Sequence, residues 1–285
     1  MKPAAFVYHA PKSLDEAIAT LAEVAPKDGR IIAGGQSLVP AMAFRLARPE
    51  HLVDINAVPE LNKIAVQGQT LSIGATIRHA AFHKPVTNGP LGQLLATVVK
   101  YIAHYPVRTR GTFCGSLAHA DPASEWCLVA ATLDAEIVAR SKRGTRTIAA
   151  GQYFQGIMAT ALASDELITE ARLPLLPDGT AFGFYEFSRR AGDYAMGMAL
   201  VTYRLENGKI AEPHVGIGGI EGFPRRIAAA EAALKGQSPS PAAFAKAADA
   251  VVAAVDPLED AQTTVDYRRD LARVVTIRAL EKAAV

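Results

Sequence analysis

Two short stretches of small residues carry the chemistry that this sequence offers. One is Ala33-Gly34-Gly35-Gln36-Ser37-Leu38, at the end of an apolar run. Glycine lacks a Cβ, so its backbone can take φ > 0 and approach a ligand closely. Successive N–H groups can then form a concave nest for an anion, and the Ser37 hydroxyl adds a donor. The other stretch is Arg108-Thr109-Arg110-Gly111-Thr112-Phe113-Cys114-Gly115-Ser116. Read singly, each stretch also fits an ordinary tight turn. Together, two nests suit a pyrophosphate gripped from both sides. Shortly after the second nest come Asp121 and Glu125. An acidic side chain beyond a phosphate nest can hold a ribose diol. Asp121 precedes Pro122 and is equally expected as a helix N-cap, and Glu125 as a helix-surface charge.

Other candidate chemistries are weaker. The two cysteines, Cys114 and Cys127, form no CxxC pair, so cysteine can build neither a zinc site nor an iron–sulfur cluster here. His79 and His83 are four positions apart, but no HExxH frames them, and a packing or surface role is expected. His119 lies near the second nest and is a candidate ligand or partner contact. Gly216-Ile-Gly218-Gly219-Ile-Glu-Gly222 resembles a Rossmann turn only faintly and reads as strand and turn packing. There is no Walker A sequence and no Gly-x-Ser-x-Gly elbow, which argues against a serine hydrolase. No catalytic residue and no metal ligand is expected in this chain.

The chain has 285 residues, half of them hydrophobic, and a net charge of +2. That length can bury one large core or two smaller ones. The charge predicts no nucleic-acid binding, which usually shows as a strong basic excess. Basic groups recur at Arg108 and Arg110, Lys142 to Arg146, Arg189 and Arg190, Arg225 and Arg226, and Arg268 and Arg269. Each is expected on a solvated face or at a helix end, unless it flanks a glycine-rich loop. Few cysteines fit a reducing compartment. The start of the chain shows no apolar signal region, and no apolar run approaches the ~20 residues of a membrane span. A cytoplasmic protein is expected.

The elements that must position these residues follow from spacing. Ser13-Leu-Asp-Glu16 is a capping box before an amphipathic helix that Pro26 ends. Arg30 to Ala33 and Leu52 to Ile55 read as buried strands, and crossovers through helices favour parallel pairing. From Leu61 the texture changes. Leu61 to Val66 and Thr70 to Ile73 form a hairpin about Gln67-Gly68. Thr76 to Phe82, Leu91 to Tyr105 and Glu125 to Leu133 read as helices, with Pro106 interrupting the second. Ala135 to Arg140 and Leu167 to Leu173 read as strands. Residues 174–179 hold two prolines and a glycine and mark a domain boundary. Beyond it come strands over Ala181 to Arg189, Met196 to Leu205 and Ile210 to Ile220, with Asn207-Gly208 as a hairpin turn. Helices follow over Pro224 to Leu234, Pro241 to Val255 and Asp266 to Ala284. The fold class is α+β: a first domain over 1–176, with lobes at about 1–57 and 58–176, then a second over 177–285 with helices on an antiparallel sheet.

With these landmarks in hand, the sequence resembles the FAD-binding medium subunits of molybdenum hydroxylases, the family of aerobic carbon monoxide dehydrogenase, quinoline 2-oxidoreductase and the flavin part of xanthine dehydrogenase. The resemblance covers essentially the whole chain. It rests on AGGQSL at 33–38, LVDI at 52–55, RTRGTFCGSLAHADPASE at 108–125, DELITEARLP at 165–174, FYEFSRRAGDYA at 184–195 and YRRDLARVVTIRAL at 267–280. It implies a two-lobed FAD domain of the vanillyl-alcohol oxidase (PCMH) type and a C-terminal domain of antiparallel sheet and helices. It implies that Ala33, Gly34, Gly35, Gln36, Ser37 and Leu38, with Thr112, Cys114, Gly115 and Ser116, hold the pyrophosphate. Ala103 is implied near the adenine and Glu125 on the ribose. Leu167 and Ile168 are implied along the isoalloxazine, and Asp193 and Tyr194 beside the ring, with Tyr194 able to stack on it. Two departures stand out. Relatives often have Gly-Gly where this chain has Cys114-Gly115, so Cys114 is either strained at φ > 0 or a packed thiol, and packing is the favoured reading. Some relatives carry a lysine near Tyr185 or Glu186, and this chain does not.

The resemblance also implies partners: a large subunit with a molybdenum cofactor, where substrate is oxidised, and a small subunit with two [2Fe–2S] clusters. A dimer of heterotrimers is expected, and the FAD of this chain would pass electrons to an external acceptor. The quinoline-type likeness points to an N-heteroaromatic substrate. The alternative is a self-contained FAD-dependent oxidase or dehydrogenase, which needs a positioned base of its own.

Overall fold

The computed structural model describes residues 2–284. The chain opens on a three-stranded sheet in the order Val7–His9, His51–Asp54, Gly29–Ile32. Both pairings are parallel, as crossovers through the helices Leu14–Val24 and Leu38–Ala43 require. Leu14–Val24 buries Ala17, Ile18, Leu21 and Val24, the stripe read from its spacing. Its capping box closes with a shift. Ser13 Oγ accepts from the Glu16 amide at 3.2 Å, but the Glu16 carboxylate accepts from the Lys12 amide rather than that of Ser13.

A five-stranded antiparallel sheet follows, in the order Ile64–Gln67, Thr70–Gly74, Leu167–Pro174, Glu136–Ser141, Gly144–Ala149. The last strand is not legible in the pattern, because most of its residues face solvent. In Leu167–Pro174 the pairing slips between Ile168 and Glu170, a bulge that frees Thr169 to accept from the Ala75 amide. The helices read as Thr76 to Phe82 and Leu91 to Tyr105 are shorter than their apolar patterns. The first is an extended segment that bridges Arg78 to Thr112, then a 3₁₀ turn at His79–His83. The second runs over Gly89–Val98, and Pro106 lies in the first turn of a separate helix, Tyr105–Arg108. Proline lacks an N–H and suits a first turn, where that donor is unpaired anyway.

The C-terminal sheet is antiparallel, in the order Ala181–Phe187, Gly197–Glu206, Lys209–Gly218, Arg225–Arg226. Asn207 and Gly208 take φ of 52° and 73°, as a tight hairpin turn with right-handed twist demands. The helices Ala228–Leu234, Pro241–Ala254 and Val265–Ala283 complete the domain. The first starts four residues later than its pattern suggests, because Arg225 and Arg226 pair with the sheet edge. Two apolar clusters form. The larger spans both sheets of the first half and reaches Phe184, Met198 and Leu200. The other joins the C-terminal sheet to its helices through residues such as Val201, Phe244 and Val275. Most of the basic groups are consumed in structural ion pairs: Arg143 with Asp165, Arg146 with Glu166, Arg225 with Glu221, Arg226 with Glu231 and Arg268 with Asp260. Among the described residues, no helix is long and apolar enough to cross a membrane.

Candidate flavin site

The two small-residue stretches face each other across one open cleft of about 670 Å³. That size lies within the usual range for small-molecule sites, about 300–1,000 Å³. The first loop leaves the end of strand Gly29–Ile32, and the second leads into helix Phe113–His119. The cleft is lined by Ala33, Gly34, Gly35, Gln36, Ser37 and Leu38 from one side and by Thr112, Cys114, Gly115 and Ser116 from the other. Leu167 and Ile168, presented at the bulge, form part of its wall, as does His119.

The loops touch. A Cβ on Gly34 would collide with the Arg110 carbonyl oxygen and come within 2.6 Å of Gly111 Cα. Only glycine allows this approach. Among the described residues, the amides of Gly34, Gly35, Gln36 and Ser37 donate to no backbone carbonyl of the chain. Buried or half-buried amides are rarely left unpaired without a ligand or water to receive them. In the second loop, Thr112 caps its helix by accepting the Gly115 amide at 3.0 Å, while the Thr112 and Cys114 amides find no backbone acceptor. A row of free donors in a cradle that only glycine permits fits a diphosphate.

Rigid packing lies beneath the second loop. Phe82, Phe113 and Trp126 pack with ring centroids 4.9–5.7 Å apart. Trp126 Nε1 donates to His79 Nδ1 at 2.9 Å. Burial, then the charges of Arg78 and Arg108, pull His79 down to about 3, so it is neutral. Its proton must then sit on Nε2, since Nδ1 accepts. His79 is thus a packing residue on the cleft wall. His83 instead accepts from Arg108 Nε at 3.1 Å.

Cys114 sits inside the helix with no positive φ, so the departure from Gly-Gly costs no backbone strain. Its thiol donates to the Ile73 carbonyl, and burial pushes it up to about 12. Cys127 is similarly buried, donates to the Ser116 carbonyl, and is pushed up to about 12. Both thiols are packing groups beside the second loop.

Ala103, Glu125, Asp193 and Tyr194 do not line this cleft; they gather in a second group. Ala103 takes φ of 41°, and its carbonyl accepts from Arg108 Nη1 at 2.9 Å. The next residue, His104, lies over Gly192, whose φ is 86°, so close that a Cβ there would fall 2.6 Å from the ring. His104 thus packs against the 188–194 turn, which closes through the Asp193 amide donating to the Arg190 carbonyl and leaves Asp193 and Tyr194 exposed at its end. Glu125 opens helix Glu125–Thr132. Burial, then the charge of Asp121, pushes its carboxyl up. Burial and Glu125 push Glu186 up in turn, and its Oε2 is buried without a hydrogen-bond partner. Tyr194 is also pushed up, by partial desolvation and then by Asp121 and Glu125. Asp121 is not the helix N-cap. It accepts from the Ala123 amide in a local turn, and Ser124 takes the cap position. Sequence reasoning missed Glu186, Arg78 and Asn56 around these sites. Glu186 lies in a strand whose alternation does not mark it out, and the partners of the other two come from distant segments.

The fold and the cleft define an FAD-binding flavoprotein module. The model of the FAD binding domain in molybdopterin dehydrogenase matches residues 4–176, and that of the CO dehydrogenase flavoprotein C-terminal domain matches residues 182–283. The chain belongs to the family of FAD-binding medium subunits of molybdenum hydroxylases. It is 39% identical to the 6-hydroxypseudooxynicotine dehydrogenase complex subunit alpha of Paenarthrobacter nicotinovorans, over 99% of this chain and 96% of that protein. Among solved structures it resembles carbon monoxide dehydrogenase from Hydrogenophaga pseudoflava, with a TM-score of 0.95, 36% identity and coverage of 100% of this chain and 99% of that one. Quinoline 2-oxidoreductase from Pseudomonas putida 86 matches with a TM-score of 0.93, 35% identity and coverage of 100% and 98%.

Proposed function

We propose that this chain is the electron-transfer subunit of a molybdenum hydroxylase complex. In that complex it takes electrons from two [2Fe–2S] clusters of a small partner subunit and passes them to an external acceptor. Substrate is oxidised at the molybdenum cofactor of a large partner subunit. The complex is a cytoplasmic dimer of heterotrimers. Bound FAD supplies a site that accepts electrons singly or in pairs. The chain's own residues bind and orient it. The loops over 33–38 and 112–116 grip the diphosphate through their free amides, and Glu125 accepts from the ribose hydroxyls. Ala103 lies by the adenine. Leu167 and Ile168 exclude water along the ring, and Asp193 and Tyr194 bound its accessible side. The functional units are 1–176, with lobes at 1–57 and 58–176, and 177–285. An N-heteroaromatic substrate is favoured, since quinoline 2-oxidoreductase and the 6-hydroxypseudooxynicotine dehydrogenase complex are both named for such compounds.

The observation that carries this reading is the pair of loops meeting across one cleft with unpaired amides on both sides. Co-expression with a large and a small subunit of this family tests the proposal. The purified complex should show a flavin spectrum, release FAD on denaturation and give that FAD to this chain on reconstitution. A complex that turns over substrate without flavin overturns it.

A further inference from the structure

The two loops belong to different lobes. The first hangs from the three-stranded sheet, and the second follows the segment that leaves the five-stranded sheet. The Gly34 backbone already lies against Arg110 and Gly111, and a diphosphate bridging both loops needs that gap held fixed. A single side chain spans the lobes at this point.

Arg78 is half-buried and makes no salt bridge among the described residues. Burial and the nearby charge of Arg110 pull it down from the ordinary arginine range. Its guanidinium donates from Nη1 to the Arg110 carbonyl of the second loop. From Nη2 it donates to Asn56 Oδ1 at 2.6 Å. Asn56 Nδ2 in turn donates to the Ala33 carbonyl of the first loop at 2.7 Å and to Asp54 Oδ1 at 2.6 Å. Tyr8 donates to the other oxygen of Asp54 at 2.5 Å. The Asn56 amide can face only this way, since a flip would point its NH₂ at the guanidinium. The Ala33 carbonyl belongs to the same peptide as the Gly34 N–H, the first free donor of the cradle.

We propose that Arg78 is a positioning residue for the FAD diphosphate, acting through Asn56. It fixes the separation of the two loops and, by polarising the Asn56 amide and then the Ala33–Gly34 peptide, makes the Gly34 amide a stronger donor. Hydrogen bonds linked in a chain polarise and strengthen one another. Arginine suits this task because its planar fork presents separate nitrogens to two spaced acceptors, where the donors of an ammonium share one nitrogen. Arg78 itself does not line the cleft. The inference rests on the assignment of the cleft to FAD.

The test uses the full chain, stripped of flavin with a chaotropic salt and titrated with FAD and separately with riboflavin, which has no phosphate. The wild-type chain should prefer FAD strongly. Arg78→Met should weaken FAD by about 10–100-fold and leave riboflavin unchanged, so that the preference collapses. Arg78→Lys, which keeps the charge and can engage one loop, should recover part of the preference. If Arg78→Met does not fold, Arg78→Lys and Asn56→Ala are read by the same ratio. A ratio unchanged in the variants overturns the proposal. So does an equal loss of FAD and riboflavin, which marks a general structural role. A wild-type chain with no preference for FAD over riboflavin overturns both this proposal and the reading of the cleft on which it rests.

Discussion

The cleft between the two loops and the group around Glu125, which draws Glu186 and Tyr194 from the C-terminal part of the chain, are built on opposite terms. The cleft is made of backbone. Its donors are amides, its defining side chain is the absent one of Gly34, and the charges on its wall balance, Asp28 and Glu166 against Arg30 and Arg48, with Arg78 and Arg110 behind the loops. The second group is made of side chains. Asp121, Glu125, Glu186 and Tyr194 crowd acidic groups together, and burial raises Glu125, Glu186 and Tyr194 above their ordinary values. A phosphate-bearing ligand suits the first and is repelled by the second. Neutral hydroxyls suit the second, because a carboxylate accepts from them without placing two anions together. A dinucleotide with its diphosphate in the cleft and a ribose at Glu125 satisfies both.

The largest expected effect tests the backbone half. Gly34→Val places branched carbons where the Arg110 carbonyl lies. Overpacking against backbone costs about 1–3 kcal/mol, and here that cost falls on the cradle itself. FAD affinity should drop roughly 100-fold, read by flavin fluorescence, with the C-terminal domain still folded by circular dichroism. An affinity within a factor of about two of the wild type would mean that the loops can part without loss, against the comparison drawn above.

A smaller effect tests the acidic half. Loss of a hydrogen bond to a charged group costs about 1.5–3 kcal/mol, so Glu125→Gln should weaken FAD about tenfold, and riboflavin should be unaffected. The pH dependence separates fold from function. Glu125 and Glu186 are raised from the ordinary 4.5, so the folded state holds protons that the unfolded chain has released. Their contribution to stability is present at low pH and is lost as pH rises through the raised values. The Tm of the flavin-free chain should therefore fall as pH rises from about 5 to about 8, and Glu186→Gln should flatten that slope. FAD affinity should move the other way and rise with pH, because ribose hydroxyls donate to the ionised carboxylate. A flat FAD titration across this range would remove Glu125 from the ribose.

The smallest effect belongs to Tyr194, which is 69% exposed. Aromatic stacking contributes about 0.5–1.5 kcal/mol, and the exposed ring places it at the low end. Tyr194→Ala should scarcely change FAD affinity but should shift the flavin absorbance bands. Unchanged bands would mean that the ring does not reach the flavin.

Much of this architecture is written locally. The Ser13 cap and apolar stripe of Leu14–Val24, the Asn207-Gly208 turn and the short strand before the first glycine-rich loop follow from periodicity and turn chemistry. The strand Gly144–Ala149 and the helix Phe113–His119 escape such reading, because the first is mostly exposed and the second is a short run of small residues. The split at 99–104 escapes it too. Ile102 is buried and keeps the apolar pattern of the helix running, while the chain turns at Ala103, where its carbonyl and that of Ile102 are taken by Arg108.

The sequence by itself determined the loops, their small residues and the family they mark, because these depend on neighbours in the chain. Only the tertiary structure decided that the loops meet, that Gly34 must be glycine because Arg110 lies against it, and that Arg78 ties both sides through Asn56. It also decided that Glu125 shares its surroundings with Glu186, sixty-one positions later in the chain (186 − 125). The reason is physical. A nest is a local backbone shape, but the gap between two nests, and the burial that raises a carboxyl, are set by how separate lobes pack.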